Sequence, residues 1–309
     1  VQSVGLFEGD VLIATMKLIL FSMNCFGRMQ TACGLMALEV HPLHKKQGAA
    51  LEMIRYFEDY ARRHGALLTL LLPFQISFYR RMGYGFAGKL YEYHLPTAVL
   101  PKPEGEARRH LRLLQPEDFD RVLACHSRFA AQNHGMVEKF EEEVRAARTD
   151  VQVRRIGYCA DDGTLRGYVA YRFESASDTN YTRNRLSVEE LVYDDGVVLR
   201  ALLGALKLQE DLAQTVLLRT GEEDFHHLLE DPQDVSGNYI DYGFLQTNVS
   251  AIGTMFKLLD PAAFVTATAY RTLPQGTLTA AFCYRDELAH RDCRTVLRFD
   301  GGRWSALPE

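Results

Sequence analysis

A chain of 309 residues with 47% apolar side chains has material for two or three hydrophobic cores, and its length favours two domains or more. Its net charge of −5 argues against a nucleic-acid partner, because phosphate backbones attract basic surfaces. The six cysteines, Cys25, Cys33, Cys125, Cys159, Cys283 and Cys293, contain no C-x-x-C pair and no metal-ligand spacing, so neither a disulfide framework nor a zinc site is indicated. His41 and His44 lie three apart without a recognisable third ligand, so no metal is expected. The apolar run Val11 to Phe21 is interrupted by Lys17 and Ala66 to Phe74 is only nine residues long, so no membrane span is expected. No charged leader with a cleavage site is present, and the reading is a cytoplasmic chain.

In chain order, Gly5 to Thr15 reads as a hairpin turning at Glu8-Gly9-Asp10, with strands continuing through Lys17 to Met23 and Met29 to Val40. A helix follows in which Ala50, Met53, Ile54, Phe57 and Ala61 form one apolar stripe. Gly65 closes it after Arg62, Arg63 and His64, whose charge suits the negative end of the helix dipole. The first turn of that helix leaves backbone N–H groups without partners, at the positive dipole end. Gly48 lets an anion approach this backbone, and Lys45 and Lys46 add charge, so the loop reads as a phosphate cradle. Leu67 to Leu72, ended by Pro73, has the length and continuous apolarity of a buried parallel strand.

Lys45-x-x-Gly48-x-Ala50 resembles the pyrophosphate loop of the GNAT acyltransferases, and Phe78-Tyr79-Arg80-Arg81-Met82-Gly83-Tyr84 resembles the signature that follows their next strand. More closely, Pro42-x-x-Lys45-Lys46-x-Gly48 followed by Ile76-x-x-Tyr79-x-Arg81-x-Gly83-Tyr84-Gly85 resembles the enhanced intracellular survival (Eis) family of amine acetyltransferases. The resemblance is specific in the first hundred residues and weaker beyond. It implies an α/β chain of tandem GNAT folds with mixed sheets and a C-terminal sterol-carrier-protein-like domain. It also implies acetyl-CoA as cofactor, held by Leu38, Glu39, Val40, Lys45, Lys46, Gln47, Gly48, Ala49, Ala50, Leu51, Phe74 and Gln75. By the resemblance a GNAT domain opens with a strand and two helices ahead of the first hairpin, so either the sequence starts late or the protein lacks the acceptor-binding helices; the first is favoured, since the amine site needs a wall.

Leu90 to Leu95 reads as the closing strand of the first domain (1–106), and Pro96, Pro101, Pro103 and Gly105 mark a linker. A second domain (107–231) repeats the order: a strand at Leu111 to Leu114, a helix opening at Pro116-Glu117-Asp118, a helix over Met136 to Arg148, and a hairpin of Val153 to Tyr158 with Leu165 to Phe173. Ser187 to Tyr193, Val197 to Leu212 and Thr215 to Thr220 then read as strand, helix and strand. Here Asp194-Asp195-Gly196 stands where the first domain has its basic loop; two carboxylates cap a helix well but repel a pyrophosphate, so this copy is expected to be empty. From about Pro232, the stretches Asp241 to Gly243, Ala251 to Leu259 with Asp260-Pro261, and Thr277 to Tyr284 with Thr295 to Phe299 read as strand, helix and hairpin of a third domain (232–309). By resemblance that domain stops short of its last elements.

The implied chemistry is direct attack of an amine on the thioester in a ternary complex. A backbone N–H of Leu38 to Val40 would stabilise the oxyanion, and Tyr79 would protonate the departing thiolate. In the Eis family the free terminal carboxylate takes the amine's proton, which would fall to Glu309 if the chain ended there; the incomplete third domain implies a terminus further on. The acceptor would be a small cationic amine, such as an aminoglycoside or polyamine, or a lysine side chain, and the resemblance implies a homo-oligomer, a hexamer among the forms. The competing reading is a non-catalytic CoA-sensing protein that kept the cofactor loop.

Overall fold

The computed structural model describes residues 1–103, 105–272 and 274–307. These fall into two compact units, residues 1–88 with 130–140 and 253–309, and residues 89–129 with 141–252.

The first unit opens with antiparallel strands β1 (Gln2–Glu8), β2 (Val11–Cys25) and β3 (Arg28–Val40). The first arm of the expected hairpin is β1, and its second arm and the strand after it are one long β2. Helix α1 (Ala49–Arg63) crosses from β3 to β4 (Leu68–Leu71), which pairs parallel to β3. The stripe explains the packing: Met53, Ile54, Phe57 and Ala61 are buried against Met16, Leu18, Cys33 and Leu71. Burial pushes the Cys33 thiol up to about 12, so it serves as an apolar side chain. The five-residue α2 (Ile76–Arg80) and short β5 (Gly85–Phe86) follow. Gly83, at φ +89, makes the reversal between them, where Tyr79 O accepts from the N–H groups of Met82 and Tyr84.

The second unit begins with β6 (Lys89–Pro96), which differs from the expected role of Leu90 to Leu95. This strand pairs with elements of the second sheet and closes nothing in the first. After it come α3 (Gly105–Arg109), β7 (Leu111–Leu113), α4 (Phe119–Gln132), α5 (Glu141–Thr149), β8 (Arg154–Cys159), β9 (Leu165–Ser175), β10 (Asn184–Tyr193), α6 (Gly196–Lys207), β11 (Thr215–Thr220) and β12 (Val249–Ile252). The sheet runs β12-β6-β11-β10-β9-β8-β7, with β10 and β11 parallel across α6. Leu199, Leu202, Leu203 and Leu206 of α6 fill its core.

The expected helix over Met136 to Arg148 is only its second half, α5. Residues 130–140 belong to the first unit, where Met23 bridges Val137 and Glu138 N–H donates to Ser22 O (2.9 Å). The buried Asn24 takes carbonyls of the last turn of α4, donating to Ala130 O (2.9 Å) and Ala131 O (2.7 Å), and Gly135 at φ +84 turns the chain out of that helix, so residues 136–140 continue without helix.

The chain then returns to the first unit with β13 (Met255–Leu258), α7 (Pro261–Ala267), β14 (Thr277–Asp286), β15 (Arg291–Asp300) and β16 (Arg303–Leu307). Strand β13 pairs with both β4 and β5, completing the order β1-β2-β3-β4-β13-β5. Asp260 caps α7 by accepting from Ala263 N–H (3.0 Å). The hairpin of β14 and β15 turns within 287–290, so its strands run further than the expected Thr277 to Tyr284 and Thr295 to Phe299.

Lys257 of β13 points into the sheet's helix-covered face and meets Glu58 of α1, at 2.8 and 2.9 Å to its two carboxylate oxygens. Glu58 is 1% exposed and has a second cation, Arg62, at 3.4 Å. Removing one partner of such a pair leaves a buried charge and typically costs about 3–5 kcal/mol, whereas an apolar pair of similar volume costs far less. Lys257→Met should therefore lower the unfolding free energy of this unit by about 3 kcal/mol or more, and adding Glu58→Leu to it should recover most of that loss. Denaturant titration of the four members of this cycle gives the coupling directly.

Candidate acyl-CoA site

Strand β3 pairs with β4 only over residues 32–35, so residues 36–40 leave one strand edge free of β4. On the other edge the register to β2 slips, with Ala37 and Leu38 both opposite Met16. Ala37 has φ +51, the left-handed conformation of a β-bulge, which re-aims the backbone groups around it. A cavity of about 840 Å³ opens here, lined by Leu38, Glu39 and Val40 on one side and by the start of α1 on another.

Between β3 and α1 the backbone changes hand twice: Lys46 has φ +62 and Gly48, the residue before α1, has φ +93. No side chain caps α1. Its first N–H groups are thus left for an incoming acceptor, and the alternation of hand makes the concave N–H surface that holds anions. A Cβ at Gly48 would meet nothing within 4 Å, so the loop has open space above it, and what Gly48 supplies is the left-handed turn. Ala49, Ala50, Leu51, Lys45, Lys46, Phe74 and Gln75 line the cavity as well. Gln47 does not; its side-chain amide donates to Leu43 O (3.2 Å).

Sequence reasoning missed Pro42, His44, Phe78 and Arg81 as lining residues. Arg81 lies within the α2 motif, and its being a third cation beside the two lysines was the available signal. His44 Nδ1 stands 3.1 Å from Glu8 Oε2. Among the described residues no group of His, Cys, Asp or Glu is arranged to hold a metal.

Tyr79 is 2% exposed and lies behind the wall rather than in it. Its ring packs edge-on against Phe74 (5.8 Å) and Phe78 (5.1 Å), both of which line the cavity. Burial raises its phenol above the ordinary value, so it stays protonated at neutral pH. Behind it, burial and then the Glu58 carboxylate push Tyr84 well above its ordinary value, and Thr69 Oγ1 donates to the Tyr84 hydroxyl (3.2 Å). Glu309 lies outside the described residues.

The corresponding turn of the second unit is built differently. Asp195 caps α6 by accepting from Val197 and Val198 N–H (both 3.0 Å) and pairs with Arg166 (2.6 Å). Hydrogen bonding from Val198, then the Arg166 partner, holds its carboxyl below the usual range. The N–H groups exposed in α1 are already satisfied here.

Comparison with known proteins agrees with this geometry. Residues 2–87 match the model of an acetyltransferase (GNAT) domain, and residues 135–245 match a second acetyltransferase (GNAT) domain model. The fold is shared with a GCN5-related N-acetyltransferase from Anabaena variabilis (TM-score 0.79, 15% identity, covering 99% of this chain and 74% of that one). It is shared likewise with one from Kribbella flavida (TM-score 0.75, 22% identity, 99% and 72%) and with Eis1 from Mycobacterium abscessus (TM-score 0.75, 20% identity, 99% and 76%). No curated protein matches the sequence. The chain carries two GNAT domains and is a GNAT-type acetyltransferase. Such domains use acyl-CoA in general, and no helix among the described residues is long and apolar enough to cross a membrane.

Gly48→Ala should cost about 1–2 kcal/mol in loop strain alone, the price of a Cβ in the left-handed region. Gly48→Glu adds a negative charge facing the anion, and CoA affinity measured by calorimetry should fall by a further factor of about ten or more.

Proposed function

We propose that the first unit transfers an acetyl group from acetyl-CoA to a primary amine of a small cationic substrate or a lysine side chain, by direct attack in a ternary complex. The observation that carries this is the uncapped, left-handed entry to α1 with Lys45, Lys46 and Arg81 around it, opening onto the unpaired edge of β3. Acetyl-CoA, when bound, supplies the activated acetyl group. The loop from Lys45 to Ala50 holds its pyrophosphate, and Leu38 to Val40 run beside the pantetheine, where a backbone N–H just past the bulge polarises the carbonyl. One such donor is typically worth about 10²–10³ in rate. Tyr79 gives its proton to the thiolate, for which the exposed Phe74 ring has to swing aside. The amine's proton passes to the terminal carboxylate, as the Eis resemblance implies. The second unit holds no acyl-CoA, because Asp195 occupies the end of its helix. The same resemblance favours a homo-oligomer in the cytoplasm and a sterol-carrier-like reading of the C-terminal hairpin region.

Calorimetry should give one acetyl-CoA per chain; two equivalent sites would overturn the assignment of an empty second unit. Acetyl-CoA turnover against a panel of polyamines and aminoglycosides tests the reaction itself, and tight binding without turnover on any amine would favour a CoA-sensing role instead.

Tyr79→Phe should leave the CoA dissociation constant unchanged and lower kcat tenfold or more, the range for losing a general acid. Since the raised phenol donates only while protonated, activity should show no alkaline loss from Tyr79 until above about pH 10, and that limb should vanish in the Phe variant. An unchanged kcat for the variant would move the proton donor elsewhere.

A further inference from the structure

We infer that the second unit holds a separate binding site for a small organic anion with an apolar body, in the cleft between β7, β8 and the C-terminal ends of α5 and α6. The cleft has a volume of about 680 Å³, the size of a typical small-molecule site. Its floor is apolar, built on the buried rings of Phe119 and Tyr171 with Val122 and Ile156. Among the described residues that line it, Arg108, Arg112, Arg148, Arg154 and Arg155 stand against one carboxylate, Asp150, in a chain whose net charge is −5.

The guanidiniums are held in place by aromatic faces. Arg148 and Arg155 lie 4.9 and 5.3 Å from the centroid of the same Phe119 ring, and Arg154 lies 5.0 Å from that of Phe173. Arg155 Nη2 also donates to Ala147 O (2.9 Å). Asp120 neutralises Arg148 (2.6 Å), and Asp150 is engaged by Arg172 (3.2 Å). Among the described residues, Arg108, Arg112, Arg154 and Arg155 have no carboxylate at ion-pair distance. The adjoining hollow, which shares Arg112, sets Glu106, Asp118 and Asp161 against its arginines and lacks this imbalance. An acceptor amine would be repelled here, so the site does not duplicate the reaction centre. A carboxylate or phosphate head would meet planar donors suited to bidentate pairing, while its chain covers Phe119 and Tyr171.

Calorimetry on the full chain with decanoate, decyl phosphate, acetate and neutral decanamide tests this. The two long anions should bind once per chain, at least tenfold more tightly than acetate or decanamide, and weaken as salt is raised. The tighter of the two identifies the head group. Arg154→Glu, at an exposed position, should lower the affinity tenfold or more without shifting the melting temperature appreciably, while Gly48→Glu should leave it unchanged. The inference is overturned if neither long anion binds, if decanamide binds equally well, if hexaglutamate binds more tightly than both, or if Gly48→Glu rather than Arg154→Glu abolishes binding.

Discussion

The first unit depends on a charge that could not stay buried alone. Glu58 sits on the face of α1 that the apolar stripe drives into the sheet, and there its carboxylate is met by Lys257 from a strand 199 residues away. The pair fixes two things at once. It holds α1, whose first turn is left uncapped, and it holds β13 between β4 and β5. The Lys257 stem also runs along Gly83, 3.4 Å from where a Cβ would stand, so the turn that places Tyr84 behind Tyr79 is supported by the same side chain.

From that frame the site follows by elimination of partners. Strand β4 leaves β3 after residue 35, a bulge at Ala37 turns the β3 backbone, and a loop with two left-handed residues delivers the chain to α1 without a capping side chain. Each feature exposes backbone groups that ordinary secondary structure would have satisfied. The second unit repeats the strand, helix, strand order but spends Asp195 on the equivalent N–H groups and Arg166 on Asp195. Two similar frames thus differ at the helix entry, capped by a carboxylate in one and left uncapped in the other.

The second unit has an electrostatic character of its own. Its arginines gather on β7, β8 and the end of α5, where stacking on Phe119 and Phe173 holds them over apolar surface. In a chain of negative net charge such a concentration is a local feature with its own ligand preference.

The sequence by itself determined whatever short-range physics controls. The stripe from Ala50 to Ala61 fixed α1, Gly48 and the lysines fixed the character of its entry, and the Phe78 to Gly85 signature fixed the turn after β4. Asp195 likewise announced its cap. Only the tertiary structure decided which sheet each later strand joins. Leu90 to Leu95 alternates as well for one sheet as for another, and it pairs with β11 and β12 because those strands offer it a matching edge. Residues 136–140 have helical neighbours in sequence but extended partners in space, Ser22 and Met23. Lys257 and Glu58 stand 199 residues apart in the chain, and only the fold brings them together. Periodicity records which face of an element is buried, and it carries no record of the distant segment that buries it.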